Sequence, residues 1–304
     1  MRQEEGYVTT EDGVRLYFRR LGEGPRTVLF PNGFDLIEDF RPLFADWTLV
    51  VFDLRNRGFS DPVGDPSKLT AGVHNDVEDM DAVRRHFGIE KINVIGHSYV
   101  GLTVILYAMK YGAHVERVVQ LGPTGPYPAK QYPAPLSFDD GVLQEVFGRL
   151  GEMQKDRGTE DPVELCRKFW SVLRRIYVTD SADAGKIHWG RCDLPNESGF
   201  MKYWGENVWP SVLGLDLTPE EIAKVRTPVL TIHGAKDRSA PYGGGREWAL
   251  LLPDARLVTV ENGAHAPWIE APEQVFGAIA AFLDGAWPEG AEKVVSLDLL
   301  ETRP

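Results

Sequence analysis

The chain has 304 residues with 33 basic against 45 acidic side chains, and a formal net charge of −12 offers no basic face to neutralise phosphates, which argues against nucleic acid as a partner. Apolar residues make up 43% and charged residues 26%, a globular composition that excludes disorder as the main state. The longest apolar run, around Val104 to Met109, is too short to cross a bilayer, and Met1-Arg2-Gln3-Glu4-Glu5 has no apolar signal core, so a soluble, cytoplasmic protein with no membrane partner is expected.

Taken in chain order, residues 7 to 20 read as a hairpin: Tyr7-Val8-Thr9-Thr10, a turn at Glu11-Asp12-Gly13, then alternation through Val14-Arg15-Leu16-Tyr17-Phe18. Short continuous apolar runs follow at Thr27–Phe30, Thr48–Phe52, Ile92–Ile95, Val115–Leu121, Pro228–Ile232 and Arg256–Val260. Such runs suit strands of a parallel sheet buried on both faces. Between them Leu102, Ile105, Leu106 and Met109 recur at helical spacing, and Val275, Ile279 and Phe282 do much the same. The expected fold class is α/β, a mostly parallel sheet with helices on both faces. From about Thr124 to Arg226 the alternation stops, and helical stretches near 139–157, 161–178 and 199–208 read as a cap inserted after the sixth strand. The domains expected are thus a core of 1–123 and 227–304 and a helical cap of 124–226. In the tail, Lys293-Val294-Val295-Ser296-Leu297 reads as one extra strand.

Several chemistries find no support. Two cysteines, Cys166 and Cys192, are too few for a disulfide framework and sit in no C-x-x-C or Cys/His cluster. The histidines at 74, 86, 97, 114, 188, 233 and 265 never fall at helical metal-pair spacing, so no metal is expected. There is no phosphate-binding G-x-x-x-x-G-K-[ST] loop, and Gly243-Gly244-Gly245 lacks the preceding strand of a dinucleotide fingerprint, so no cofactor is expected.

One constellation does carry chemistry. The Ile92–Ile95 strand runs into Gly96-His97-Ser98-Tyr99-Val100-Gly101 and then directly into a helix. A serine squeezed between strand and helix must take a strained backbone, which holds its Oγ above the sheet edge. The amide of Tyr99, in the first helical turn, then points at an oxyanion forming on an acyl group attached to Ser98. A serine hydroxyl needs an imidazole to take its proton and a carboxylate to hold that imidazole's tautomer. Asp237 follows the strand ending at Ile232, and His265 follows the next strand, in Gly263-Ala264-His265-Ala266-Pro267-Trp268. Three such residues at successive sheet-edge loops, in the order Ser, Asp, His, are unlikely by chance and read as a catalytic triad. His97 and His233 read as structural.

These motifs resemble the α/β-hydrolases of the serine-hydrolase kind over nearly the whole chain. The G-x-S-x-G elbow of that family appears as Gly96-x-Ser98-x-Val100, with Gly101 one place late, and its D-x-R-G-x-G-x-S turn as Asp53-Leu54-Arg55-Asn56-Arg57-Gly58-Phe59-Ser60, where Asn56 tolerates left-handed geometry. The oxyanion strand ends Pro31-Asn32-Gly33-Phe34, which by resemblance makes the Phe34 amide the second oxyanion donor, with Asn32 stabilising the loop. Serine at 98 separates the chain from haloalkane dehalogenases and soluble epoxide hydrolases, which attack with aspartate. Some relatives place the acid after the sixth strand, but Gly122-Pro123-Thr124 has no carboxylate, leaving Asp237.

The triad specifies acyl transfer to water more firmly than the acyl group. Cap aromatics (Tyr127, Phe138, Phe147, Phe169, Trp170, Trp189, Tyr203, Trp204 and Trp209) suit an apolar substrate, although most are expected in the cap's own core. The first reading is a carboxylesterase for small or medium esters, with Trp204, Glu206 and Trp268 as substrate-binding residues. The second is an aminopeptidase similar to the proline iminopeptidases, suggested by Tyr203-Trp204-Gly205-Glu206, whose carboxylate would hold a free amino terminus. Against it, the Gly-Gly-Pro-rich oxyanion loop of that group is missing. A ligand receptor on a hydrolase scaffold is the reading an intact triad makes least necessary. The expected partner is a small ester or amide; sequence leaves open whether the protein is monomeric.

Overall fold

Two strands open the chain, β1 (Gln3–Thr9) and β2 (Arg15–Leu21), paired antiparallel with Tyr7 opposite Tyr17. The turn is closed by the Thr10 hydroxyl donating to the Val14 carbonyl at 3.0 Å and by Gly13 at φ 81°. β1 begins before the expected Tyr7, because Gln3, Glu4 and Glu5 form an exposed edge with no apolar member for a period-two pattern to catch. The computed structural model describes residues 3–33, 36–43, 45–153, 161–189, 191–196 and 202–298.

The apolar runs become β3 (Arg26–Pro31), β4 (Trp47–Phe52), β5 (Ile92–His97), β6 (Val115–Leu121), β7 (Val229–Gly234) and β8 (Ala255–Val260). They lie in one eight-stranded sheet of order β1-β2-β4-β3-β5-β6-β7-β8, parallel from β4 to β8. β4, β5 and β7 are buried at every position, since both faces of the sheet are covered. Helices α1 (Val73–His86) and α2 (Tyr99–Tyr111) cover one face through Val77, Met80, Leu102 and Ile105, and the helix Pro272–Leu283 covers the other through Val275, Ile279 and Phe282.

One rung of the sheet positions the site. His97 pairs with Leu121, Leu121 with Ile232 and Ile232 with Val258, so β5 to β8 end side by side. Their outgoing loops share one edge, beside the point where the chain order reverses between β3 and β5, and in open α/β sheets that crevice is where ligands bind.

Between β6 and β7 lies the expected helical insertion, with α3 (Val142–Met153) and α4 (Pro162–Leu173). Asp161 caps α4 by accepting from the amides of Val163 and Glu164. α4 ends earlier than the expected 178, giving way to a 3₁₀ turn at Arg174–Ile176. The stretch expected as helix near 199–208 lies partly outside the described residues; its described part is a π-helical turn, Trp204–Val208, running into a short helix, Trp209–Leu213. Cys166 and Cys192, too few for a framework, form a single disulfide across 26 residues of sequence. In the tail, the expected strand at 293–297 does not form: the nearest pairing is one antiparallel bridge, Glu292 to Leu257, and Val294 is buried against the helix Tyr242–Leu251 and Leu257. Among the described residues no helix is long and apolar enough to cross a membrane.

Candidate active site

Ser98 stands between β5 and α2 at φ 60°, ψ −128°, a left-handed conformation that L-residues with side chains rarely adopt. The sharp turn needs Gly96, since a Cβ there would lie 2.4 Å from the Val100 carbonyl oxygen. The second glycine of the usual elbow is dispensable because Val100 points into the core, 3% exposed. Gly101 serves a different contact, its missing Cβ leaving room for Pro123 of the β6 loop. The Ser98 carbonyl accepts from the amides of Gly101 at 2.9 Å and Thr124 at 3.0 Å, tying the elbow to that loop. Tyr99 opens α2, where a backbone N–H has no intrahelical acceptor. Phe34, the other expected oxyanion donor, lies outside the described residues.

Asp237 and His265 come together from the loops after β7 and β8. His265 Nδ1 is 2.8 Å from Asp237 Oδ2, and both side chains are buried. Asp237 Oδ1 accepts from the amides of Ser239 and Ala240, each at 2.8 Å, while Oδ2 also accepts from His233 Nε2 at 3.1 Å. Burial acts to raise the Asp237 pKa, but the imidazoles, His265 foremost, outweigh it and hold the carboxyl well below its usual range. His97 donates from Nε2 to the His265 carbonyl at 3.0 Å and stays neutral, because burial and the neighbouring His265 depress its pKa.

Ser98 and His265 line one cavity of about 220 Å³. Four of the nine aromatics singled out in the insertion face it, Phe169, Trp170, Trp189 and Trp204, and Trp204 packs its ring 4.4 Å from that of Tyr99. Of the three residues expected to touch substrate, Trp204 alone is in the described lining. Glu206 is exposed on the π turn, and Trp268 is buried behind the site, edge-on to His97 and donating to Asp39 at 3.0 Å. Among the described residues no group of three or more His, Cys, Asp or Glu could hold a metal ion.

Other site residues carry no sequence signal of their own. Tyr177 stacks on His265 with ring centroids 5.2 Å apart, and its carbonyl accepts from the Ala266 amide at 2.9 Å. Glu270 accepts from the amides of Ala264 and Thr179, and Arg238, next to Asp237, pairs with Asp140 and donates to the Val178 carbonyl. The insertion thereby braces the loops that hold Asp237 and His265. Arg57, in the turn after β4, also lines the cavity.

The family model described as the alpha/beta hydrolase fold matches residues 30–272. The chain is 23% identical over 297 residues to a bifunctional esterase/perhydrolase, DCH, of Acinetobacter calcoaceticus, covering 91% of this chain and 99% of that one. It is 22% identical over 306 residues to a proline iminopeptidase of Clostridioides difficile, covering 93% and 99%. Among solved structures, an esterase from Exiguobacterium antarcticum, EaEST, matches with a TM-score of 0.68 at 15% identity, covering 93% of this chain and 100% of that one. The family match runs from β3 past β8 and takes in the loops of Ser98, Asp237 and His265, so the chain belongs to the α/β-hydrolase fold family and is a hydrolase.

Proposed function

We propose that the protein is a serine carboxylesterase with Ser98 as nucleophile, His265 as general base and Asp237 as the group that orients it. The observation that carries this reading is Ser98, held in a left-handed elbow at the wall of a cavity that it shares with a histidine bonded to a buried carboxylate. Asp237 fixes the proton of His265 on Nδ1, leaving Nε2 free to accept. Ser98 Oγ adds to the ester carbonyl as its proton passes to Nε2, and the carbonyl oxygen becomes an oxyanion facing the amide of Tyr99. Collapse breaks the ester C–O bond, the alcohol leaves with the proton from Nε2, and Ser98 is acylated. Water then repeats the sequence, giving the carboxylic acid and free Ser98. The insertion acts as a cap that roofs the cavity with aromatic side chains.

The test is labelling with a fluorophosphonate alongside hydrolysis of chromogenic esters of graded acyl length. A single adduct on the Ser98 peptide, and a loss on the order of 10⁴-fold in kcat for Ser98→Ala with folding intact, are expected. Near-full activity in Ser98→Ala overturns the assignment. The aminopeptidase reading has support in the iminopeptidase relative, but an ammonium group needs an anion in the pocket, and among the described lining residues none is acidic.

A further inference from the structure

Tyr177 is held at the cavity wall by its neighbours. Its amide donates to the Arg174 carbonyl at 3.1 Å, its carbonyl accepts from the Ala266 amide, and its ring stacks on Trp189 at 4.8 Å as well as on His265. Trp189 is fixed in turn by Arg174, which donates to its carbonyl at 2.6 Å. These contacts engage the backbone and the ring of Tyr177. Its hydroxyl has no hydrogen-bond partner among the described residues, and it is not sealed in the interior as the equally unpartnered Tyr99 hydroxyl and Trp189 Nε1 are. It is therefore open on the cavity that Tyr177 lines. Burial and the charge of Asp237 raise the pKa of this phenol, with Arg57 countering them in part, so the group stays protonated and is a donor without an acceptor.

We propose that the Tyr177 hydroxyl binds substrate by donating to an uncharged oxygen on the alcohol part of the ester, so that preferred substrates carry an ether or carbonyl oxygen beyond the scissile bond. This rests on Ser98 being the esterase nucleophile. The alcohol departs with the proton of His265 Nε2, on the side of that ring, and Tyr177 packs on the same ring. Leu36, Phe169, Trp170 and Leu173 make much of the wall apolar, so a substrate that enters displaces the water serving the phenol. One whose body is wholly apolar then leaves a desolvated donor unpaired. An ether or carbonyl oxygen restores the bond, and it gives up far less hydration of its own than an ionised carboxylate would. Stacking fixes the phenol beforehand, so little rotamer freedom is lost when substrate binds.

The experiment compares wild type with Tyr177→Phe, which removes the hydroxyl and keeps the stack, on pairs of esters that differ by one oxygen in place of one methylene. On the alcohol side the pairs are 2-methoxyethyl acetate against butyl acetate and 3-methoxypropyl acetate against pentyl acetate; on the acyl side, methyl 4-methoxybutanoate against methyl hexanoate. Intrinsic reactivity cancels, because both proteins meet the same two esters. The ratio of kcat/KM, ether over alkyl, is expected to fall by about fivefold or more in Tyr177→Phe for at least one alcohol-side pair, mainly through KM, and by less than about twofold for the acyl-side pair. Ratios unmoved in all three pairs, or a fall as large in the acyl-side pair, overturn the proposal and leave the esterase reading standing. So does an equal loss on ether and alkyl members, which marks a residue that only positions His265. Failure to hydrolyse any of the six, with Ser98 unlabelled by fluorophosphonate, overturns both. Should Tyr177→Phe fail to fold, wild type decides: an alcohol-side ratio above that of alkaline hydrolysis supports the assignment, and a ratio at or below it refutes it.

Discussion

His233 and His265 bond the same carboxylate oxygen: Oδ2 of Asp237 lies 3.1 Å from His233 Nε2 and 2.8 Å from His265 Nδ1. His233 Nε2 also lies 3.0 Å from the Ala240 carbonyl, so with two acceptors before it that nitrogen carries the proton. The ring fits there because Gly245 has no Cβ, which would lie 2.1 Å from His233 Nδ1. Two donors sharing one oxygen divide its charge, so His265 is held less strongly than by an unshared aspartate.

His233→Leu removes the competing donor. The shared oxygen then bonds His265 alone, and kcat should fall by less than about tenfold with KM for a neutral ester little changed. The measurement is kcat and KM of both proteins beside urea unfolding. A stability loss with kcat unchanged reduces His233 to a packing role.

Asp76, in the first turn of α1, is buried and neither carboxylate oxygen has a hydrogen-bond partner among the described residues. Burial, with Asp79 adding to it, pushes its pKa well above the carboxylate range. Below about pH 4 the group is neutral whether the chain is folded or not. As the pH rises the unfolded chain ionises freely and the folded one does not, so stability is lost toward neutral pH. Asp76→Asn should therefore stabilise the protein by about 1–3 kcal/mol at pH 8 and by almost nothing at pH 4. Urea unfolding at both values checks this, and a gain independent of pH counts against it.

The Cys166–Cys192 disulfide ties α4, which carries Phe169, Trp170 and Leu173, to the segment that carries Trp189, so it joins two walls of the cavity. Closing a loop of 26 residues restrains the unfolded chain by about 3.5 kcal/mol in the loop-entropy model. The double variant Cys166→Ala/Cys192→Ala should lower the thermal midpoint by several degrees and raise KM by a larger factor than it lowers kcat. Equal thermal midpoints in wild type with and without reductant would place the bridge outside the cooperative unit.

What was legible in the sequence was local. The Ile92–Ile95 run, the Gly96-x-Ser98 turn and the amphipathic helix after it fall within some twenty residues, and Asp237 and His265 are each located by the strand that precedes them. Contacts between residues far apart in sequence leave no periodic trace. The Arg238–Asp140 pair and the disulfide are of this kind, and so is Tyr177, which reads as the last turn of a helix yet leaves it early to stack on His265. Arg57 stood in a legible turn, but which way its side chain points depends on how that turn packs beside the elbow.

Trp204 and Glu206 are two residues apart on the π turn, and residues two apart on a helix do not share a face. Trp204 lines the cavity while Glu206 is exposed. Glu206→Gln keeps the shape and removes the charge, so kcat/KM should change by less than about threefold both for a neutral acyl ester and for a proline amide with a free amine. If Glu206 instead anchored the ammonium of a peptide substrate, removing a desolvated partner would cost about 2–5 kcal/mol, roughly 30-fold to 5,000-fold, on the amine-bearing substrate alone. The measurement is kcat/KM for wild type and Glu206→Gln on both substrates. A large loss confined to the proline amide, together with better wild-type turnover of that amide than of the ester, would replace the esterase by an aminopeptidase.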